Sequence, residues 1–213
     1  MAELIDVFDG NHKHLGVLER TAVHQQGLWH QTFHCWVVGK HNSQEFVLLQ
    51  LRSKNKKSYS DMLDITAAGH LEAGESPDDG AREVQEELGV QIGAITLRYL
   101  GIKHDIADEP NGLKNREFSH VFLMRDDRKM SEYKLQESEV SGLVHVPISD
   151  GLSLFSGEVD EISCQATRIE NGETKTFLRS VKVSDLIPRV DSYYLKVFCL
   201  ARRYLAGDQY LAI

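Results

Sequence analysis

Apolar and polar positions along the first 150 residues predict a series of β-strands. Residues 3–8 alternate apolar and polar side chains, which is the pattern of a half-buried strand. Residues 29–38 and 45–51 indicate two longer strands, and the second contains an apolar run typical of a strand buried on both faces. Three further strands are predicted at residues 97–102, 118–124 and 143–146. The polar residues 104–114 are predicted to form a surface loop between two of these strands.

A helix is predicted to begin at Ser76 and to end at Gly89. Ser76 is a typical N-cap residue, Pro77 suits the first helical position, and Asp79 lies three residues after the cap. Gly89 readily adopts the positive φ angle that ends many helices. The sequence therefore predicts one clearly bounded helix near the middle of the chain.

The last part of the chain predicts a hairpin and a second helix. Residues 161–183 indicate a β-hairpin around Asn171-Gly172, a dipeptide typical of two-residue hairpin turns. Residues 191–205 carry apolar side chains at helical spacing. Since no long linker divides the chain, we expect one α/β domain over residues 1–213. Its core would span about the first 150 residues, and residues 151–213 would form a C-terminal extension.

Composition and charge narrow the classes of function. Of 213 residues, 41% are hydrophobic and 26% are charged, which suits a globular chain with a sizeable core. Lys plus Arg number 24 and Asp plus Glu number 32, so the net charge is −8 with neutral histidines. Such a surface repels phosphate backbones and argues against sequence-independent nucleic-acid binding. An acidic protein still binds a phosphorylated ligand when a metal cation mediates the contact.

The sequence also predicts the cellular compartment. The first residues are acidic and lack a long apolar run, so no signal peptide is expected. No stretch approaches the ~20 apolar residues that a membrane-spanning helix needs. The three cysteines, Cys35, Cys164 and Cys199, form no CxxC pair, which argues against a disulfide framework or a zinc knuckle. We therefore expect a cytoplasmic protein that does not bind membranes.

Seven carboxylates lie within residues 72–87. Glu83, Glu86 and Glu87 are spaced i, i+3 and i+4, so a helix places them on one face, where like charges destabilise it unless a cation binds. Taken alone, the pattern also fits a solvated acidic helix. The preceding loop at residues 69–75 contains glycines that let the backbone approach a ligand closely. Since Mg²⁺ prefers carboxylate oxygens, the combination favours a metal site.

This segment resembles the Nudix box, in which a glycine-containing loop leads into a helix with Arg-Glu and Glu-Glu pairs. The matching residues are Gly69, Glu75, Arg82, Glu83, Val84, Glu86, Glu87, Gly89 and Val90. Six residues separate Glu75 from Arg82, one fewer than in the usual pattern. The resemblance implies an α/β/α sandwich with a mixed β-sheet. It also implies hydrolysis of a small molecule joined through a diphosphate, commonly a nucleoside diphosphate derivative.

The same resemblance implies roles for the side chains of the box. Mg²⁺ or Mn²⁺ would be held by Glu83, Glu86 and Glu87. The carbonyl of Ala68 would assist, and Arg82 would brace the loop through Glu75. The expected catalytic residues are Arg82, Glu86, Glu87 and, on a later strand, Glu117.

Residues 22–38 and 63–70 further resemble the isopentenyl-diphosphate isomerase-like branch of this superfamily. In the isomerases, a metal is bound by a later glutamate and by histidines near the positions of His24, His30 and His70. Glu117 falls where that glutamate would lie. The isomerase cysteine is replaced by Ala68, which cannot exchange the proton that isomerisation requires. Ala68 thus disfavours an isomerase-like enzyme, which is kept as one alternative to a hydrolase. The other alternative is a non-catalytic nucleotide-binding Nudix module.

For several side chains the sequence leaves two interpretations open. His24 and His30 fit a metal site or ordinary hydrogen bonding, and His34 fits the second better. The side chains expected to contact substrate are Trp29, His30 and His70. Glu137 and Glu139 lie in a predicted loop. Either this loop provides the general base, or the two glutamates are ordinary charged residues of the surface. The C-terminal extension would cover the sheet, shape the pocket or form a homodimer surface.

Overall fold

The computed structural model describes residues 2–56, 58–91, 93, 96–108, 112–170 and 172–213. The strands are β1 (Leu4–Phe8), β2 (His14–Glu19), β3 (Trp29–His41), β4 (Gln44–Arg52), β5 (Leu63–Asp64), β6 (Ala67–His70), β7 (Leu97–Asp108), β8 (Lys114–Arg125), β9 (Val140–Pro147), β10 (Ile162–Glu170) and β11 (Glu173–Val181). The α-helices are α1 (Arg20–Gln26), α2 (Ala81–Leu88), α3 (Ile148–Ser156) and α4 (Tyr193–Leu205). Short 3₁₀ turns cover Pro77–Gly80, Met130–Glu132 and Val183–Asp185.

Strand β3 is the centre of a mixed sheet. The described strands are ordered β11-β10-β9-β4-β3-β1-β2, with β5 paired to β4, β6 and β8 paired to β3, and β7 paired to β8. Strands β3 and β8 run parallel, with residues 30–38 opposite residues 117–125. The neighbouring pairs β3–β4 and β7–β8 are antiparallel. The predicted α/β class and mixed sheet are therefore confirmed.

The two faces of β3 belong to different hydrophobic clusters. Phe33, Cys35 and Val37 share one face and pack with Val84 and Leu88 of α2, and all five side chains are fully buried. The intervening residues of the strand face the cluster that holds α3 and α4. A fully buried large apolar side chain contributes about 1.5–3 kcal/mol. Both helical layers are therefore fixed on the sheet by burial of alternate residues of one strand.

The predicted helix after Ser76 is confirmed, with a tighter first turn than expected. Residues Pro77–Gly80 form a 3₁₀ turn, and α2 follows from Ala81. The backbone N–H of Ser76 donates to the Asp79 carboxylate at 2.8 Å, which completes the predicted capping interaction. Gly89 has a φ angle of 69° and ends α2 as expected.

The predicted loop at residues 104–114 is wrong for most of its length. Strand β7 runs through the first part of this segment and β8 begins at its end, whereas residues 109–111 lie outside the described residues. Polar residues are stable here because β7 pairs with β8 and because Lys103 and Asp105 form an ion pair at 3.1 Å. As a consequence, Asp105 lies directly opposite Glu117.

The predicted C-terminal hairpin and helix are confirmed as β10–β11 and α4. Gly172 of the predicted turn has a φ angle of 78°, and Asn171 lies outside the described residues. The sequence does not predict β2, α1 or α3. The N-cap positions of these two helices hold Glu19 and Pro147, which are not typical N-cap residues, so the usual start signal is missing. The single-domain interpretation stays a prediction. Within the described part of the chain, no helix is long and apolar enough to cross a membrane.

Candidate active site

Arg82 anchors the loop that precedes α2. Its Nε donates to Glu75 Oε1 at 2.8 Å and its Nη2 donates to Glu75 Oε2 at 3.1 Å, so the guanidinium grips the carboxylate with two bonds. Nη2 also donates to the backbone carbonyl of His70 at 2.8 Å. Hydrogen bonding to Glu75 raises the pKa of Arg82 and outweighs the opposing effect of burial. The carboxylate of Glu75 therefore reaches Arg82 although the segment between them is one residue shorter than in the usual box.

Glu87 is the most enclosed of the three helix glutamates. The residue is 4% exposed, and its Oε2 accepts a hydrogen bond from the backbone N–H of Ala68 at 3.2 Å. Burial, and then the nearby charge of Glu83, raise the pKa of Glu87 above its ordinary value against the opposing pull of Lys56. A divalent cation at this carboxylate would compensate the cost of burying its negative charge.

Glu83 and Glu86 are held by Arg82. The distance from Arg82 Nη1 is 2.5 Å to Glu83 Oε1 and 3.7 Å to Glu86 Oε2. Glu83 packs so closely on Gly69 that a Cβ at this position would collide with its carboxylate. The side chain of Glu86 is 53% exposed. Two groups of three or more donor side chains within 4.8 Å occur among the described residues, and neither includes these glutamates. Rotation of side chains is therefore needed for one ion to contact all three.

Lys56 adds a positive charge beside the helix glutamates. It lies in the loop after β4 and forms an ion pair with Glu139. Burial, and then the charge of Arg52, lower the pKa of Lys56, while the charge of Glu87 opposes them. Glu139 is thus engaged with Lys56, whereas Glu137 lines a separate cavity of ≈ 240 Å³. A run of lysines after a buried strand is the sequence feature that could have indicated this contact.

Four side chains from four different elements meet beside β6. Each brings one ligand atom to within 4.8 Å of the others: His24 of α1, His30 of β3, His70 of β6 and Glu117 of β8. His30 lies opposite Glu117 in the parallel strand pair, and His30 Nε2 is 3.8 Å from Glu117 Oε1. We call these four residues the histidine cluster. The structure thus brings His30 and His70 together with Glu117.

The hydrogen bonds of two of these histidines fix their rings, and one ring nitrogen remains available to a cation. His24 Nδ1 donates to the carbonyl of Arg20 and His30 Nδ1 donates to the carbonyl of Leu28, both at 2.9 Å. Since a carbonyl only accepts, Nδ1 of each ring carries a hydrogen, and His24 Nε2 lies 3.3 Å from His70 Nε2. His30 Nε2 is buried without a hydrogen-bond partner among the described residues. Burial lowers the pKa of His30 to about 4, so the ring is neutral at pH 7. The histidine cluster therefore fits a divalent cation that accepts imidazole ligands.

A second donor group, formed by His34, Asp105 and Glu117, fits a metal less well. Asp105 is already paired with Arg189 at 2.5 Å and with Lys103 at 3.1 Å. These two cations repel any further positive charge at this position. Lys103 and Asp105 are buried and Arg189 is half-buried, and the sequence pattern indicates none of these three charged residues.

His34 is a hydrogen-bonded histidine of the core. Its Nδ1 lies 3.1 Å from the hydroxyl of Tyr193, and that hydroxyl also accepts a bond from Trp36 Nε1 at 3.0 Å. Burial lowers the pKa of His34 to about 3, so the ring is neutral. This agrees with the plain interpretation of His34 drawn from the sequence.

Trp29 lies on the opposite face of β3 from His30. Consecutive strand residues point to opposite faces, and the Trp29 ring stacks on Phe118 with the ring centroids 4.6 Å apart. The structure does not bring Trp29 to the histidine cluster. Its contact with substrate stays a prediction.

Comparisons with known proteins show the family. The family model described as NUDIX domain matches residues 10–161. An uncharacterised Nudix hydrolase of Clostridium acetobutylicum is 33% identical over 195 residues, which cover 90% of this chain and 93% of that protein. Nudix hydrolase 3 of Arabidopsis thaliana is 32% identical over 162 residues, 73% of this chain and 21% of that protein. An isopentenyl-diphosphate Δ-isomerase of Citrobacter koseri is 33% identical over 109 residues, 50% of this chain and 58% of that protein.

Two solved structures share the fold. A protein of Deinococcus radiodurans matches with a TM-score of 0.57 and 20% identity over 73% of this chain and 90% of that chain. The Nudix hydrolase RenU from M. smegmatis matches with a TM-score of 0.52 and 11% identity over 98% of both chains. The family match over residues 10–161 and the 33% identical relative show that this chain belongs to the Nudix hydrolase superfamily, with similarity to its isomerase branch over half of the chain.

Proposed function

We propose that this Nudix protein hydrolyses the diphosphate bond of a small molecule, such as a nucleoside diphosphate derivative, with Mg²⁺ or Mn²⁺ as its cofactor. The observation that carries the proposal is the buried carboxylate of Glu87, which accepts the N–H of Ala68 and lies near the charge of Glu83. These two carboxylates repel each other, and a divalent cation would offset the repulsion further than Arg82 and Lys56 do. Helix α2 therefore offers the oxygen ligands that a hard cation requires.

The residues of α2 and its loop have separate roles in this proposal. The cation would be held by Glu83, Glu86 and Glu87. When bound, this cation would offset the negative charge of the diphosphate and make a water molecule more acidic. Arg82 keeps the loop in place through Glu75, so the backbone at Ala68 stays beside the glutamates. Lys56, which lies close enough for its charge to act on Glu87, would contact a phosphate oxygen.

Glu117 and the histidines would act on the substrate from the other side of β6. With no ion bound at Glu117, burial, and then the charge of Asp105, raise the pKa of this carboxyl to about 7, the range in which it exchanges protons readily near neutral pH. We assign proton transfer to Glu117. His30 and His70 would contact the substrate phosphate directly or through a second divalent cation.

A second candidate function is isomerisation of an isoprenoid diphosphate, and the histidine cluster favours it. The cluster unites the histidines and the glutamate that the isomerase resemblance implies. Ala68 opposes this candidate, because its side chain has no proton to donate or accept. Incubation with isopentenyl diphosphate and Mg²⁺ decides the question: formation of the allylic isomer would establish isomerase activity.

A hydrolysis screen tests the favoured function. Purified protein is incubated with nucleoside diphosphates, sugar nucleotides and dinucleotides, with Mg²⁺ and Mn²⁺ in separate reactions, and the products are resolved by chromatography. We expect cleavage of at least one class at the diphosphate, and no cleavage when both metals are replaced by a chelator. Nucleotide binding without any cleavage would instead support the non-catalytic binding module.

We also propose that the protein acts in the cytoplasm on a small-molecule partner. Cys35 and Cys164 are free and buried and Cys199 is free, which suits a reducing compartment. Homodimerisation through the C-terminal extension stays a prediction, and sedimentation analysis of the full chain would test it.

A further inference from the structure

The C-terminal extension places Arg189 in the wall of a small cavity that Glu117 also lines. The segment before α4 docks on β5, where the N–H of Ile187 donates to the carbonyl of Leu63 at 3.0 Å. This places Arg189 between two strands: Nη1 lies 2.5 Å from Asp105 of β7 and Nη2 lies 3.3 Å from Asp64 of β5. The side chain of Arg189 is only 13% exposed. The ion pair between Arg189 and Asp105 is therefore largely shielded from water.

A cavity of ≈ 50 Å³ is lined by both members of this ion pair and by Glu117. Its volume suits one or two small groups, such as hydroxyls or water molecules. Apolar side chains, including Ile187 and the exposed Val190, form other parts of the wall. Because Glu117 also belongs to the histidine cluster, a substrate with its phosphate at the cluster would place the neighbouring group in this cavity.

The charges beside the cavity balance one another. Among the described side chains here, four carboxylates face four cations: Asp64, Asp105, Glu117 and Asp191 with Arg52, Lys103, Arg189 and Lys196. Burial opposes the charge on Asp105, but the attraction of Arg189 and then of Lys103 outweighs it and holds the pKa of that carboxyl below its ordinary value. The wall is thus strongly polar without a large net charge.

A wall of this kind discriminates between hydroxyl groups and hydrocarbon. Its carboxylate oxygens accept hydrogen bonds from hydroxyls. A hydrocarbon chain in the same place would displace water from charged groups and offer no hydrogen bond in return. Since the charges balance, neither an ammonium group nor a further phosphate gains much attraction.

We propose that the Asp105–Arg189 pair is a specificity determinant, which selects diphosphates carrying hydroxyl groups next to the phosphate and rejects those carrying a hydrocarbon chain. The inference rests on the proposed diphosphate function and assigns a task to the C-terminal extension. Arg189 completes the wall of the substrate cavity, so the extension takes part in selecting the substrate.

Two five-carbon diphosphates that differ in hydroxylation are the probes. Isothermal titration of the full chain with ribose 5-diphosphate and isopentenyl diphosphate, with Ca²⁺ as the divalent ion, gives the ratio of their affinities. We expect the wild type to prefer ribose 5-diphosphate by at least about tenfold, since the hydrocarbon probe would displace water from the charged wall and offer no hydrogen bond in return. The neutral double variant Asp105→Asn/Arg189→Met should reduce this ratio about tenfold or more.

The matched control is Arg203→Met/Asp208→Asn, which removes an exposed ion pair of 2.6 Å outside the cavity and should leave the ratio unchanged. A ratio unchanged in the cavity variant, at wild-type circular dichroism, overturns the proposal.

A second variant covers the case in which the double variant does not fold. Val190 is 84% exposed at the cavity, so Val190→Trp would obstruct the opening without disturbing the core. We expect it to weaken ribose 5-diphosphate binding about fivefold or more. Unchanged binding would overturn the inference.

The titrations separate this inference from the proposed function. If neither probe binds to a protein that hydrolyses other diphosphates, the selectivity proposal is wrong and the hydrolase proposal stands. If the expected ratios appear in a protein that cleaves nothing, the selectivity proposal stands and the hydrolase proposal is wrong.

Discussion

The two candidate cation sites of this molecule differ in how far their ligands are already assembled. The histidine cluster holds four ligand atoms within 4.8 Å of one another, and backbone carbonyls fix the rings of His24 and His30. On α2, by contrast, Arg82 holds Glu83, and the side chain of Glu86 is 53% exposed. The histidine cluster is therefore preorganised, whereas the α2 glutamates must rearrange to share one ion.

The chemistry of the ligands explains this difference. Burial lowers the pKa values of His30 and His70 and keeps these two rings uncharged, so they pack together at little electrostatic cost. Carboxylates repel, and Arg82 and Lys56 offset that repulsion on α2. A preorganised site binds more tightly than one that must rearrange. We expect the histidine cluster to bind its ion the more tightly, and the α2 site to bind its ion together with the diphosphate.

The largest effect is expected at Glu87. Glu87→Gln removes the buried negative charge of the α2 site and should lower turnover by about 10³-fold while preserving the fold, because it changes a metal ligand and no apolar contact. Steady-state kinetics with the best substrate of the screen measures the effect. Glu173→Gln, an exposed change on β11, is the control and should keep wild-type turnover. Equal rates for the two variants would remove Glu87 from the chemistry.

Removing a ligand of the histidine cluster should weaken the binding of a metal ion. His30→Asn deletes a buried ligand and should weaken binding of Mn²⁺ at the tighter site by about 100-fold, with a smaller loss of turnover than in Glu87→Gln. Electron paramagnetic resonance of a Mn²⁺ titration reports the affinity. His41→Asn, an exposed histidine at the end of β3, serves as control. If both variants bind Mn²⁺ like the wild type, the cluster is not a metal site.

The same histidine should make metal-free protein less stable in acid. The folded chain keeps His30 neutral down to about pH 4, whereas the unfolded chain protonates this side chain near the ordinary pKa of 6.5. Between these values the unfolded state binds the extra proton, so the free energy of unfolding falls as the pH falls. Urea titrations at pH 7 and pH 4.5 measure how far the free energy of unfolding decreases between these two values. The decrease should be about 2 kcal/mol smaller in His30→Asn than in the wild type. The same loss in both proteins would contradict the buried neutral ring.

The smallest effect is expected at the arginine that braces the box. Arg82→Lys keeps the charge but cannot reproduce the paired bonds to Glu75, so turnover should fall about tenfold and the melting temperature should decrease by a few degrees. Arg203→Lys changes an exposed arginine whose Nε and Nη2 both donate to one oxygen of Asp208, and it controls for loss of a guanidinium outside the box. A similar rate for the two variants would show that the brace is dispensable.

Helix α2 is predictable from sequence because its determinants are local. The Ser76 cap, the alternation of Val84 and Leu88 with the glutamates, and the stop at Gly89 all lie within one short segment. The positions of His70 and Glu117 come instead from a family resemblance. Their contact depends on the register of β6 and β8 against β3, which no local pattern encodes.

The charged cavity wall could not be predicted for a related reason. Asp105 lies in a polar segment that has the composition of a loop, yet it is a buried strand residue. Besides the nearby Lys103, Asp105 is stabilised there by Arg189, which lies 84 residues away in the sequence. A local pattern cannot indicate that a distant cation will neutralise a carboxylate.

The most direct test of the account is a count of bound Mn²⁺ ions, with and without an added diphosphate, for the wild type, Glu87→Gln and His30→Asn. We predict that the wild type binds one ion alone and gains at least one more with the diphosphate. Glu87→Gln should lose the gained ion, and His30→Asn should lose the first. If Glu87→Gln binds as many ions as the wild type in the presence of diphosphate, the α2 carboxylates do not form the metal site proposed for catalysis.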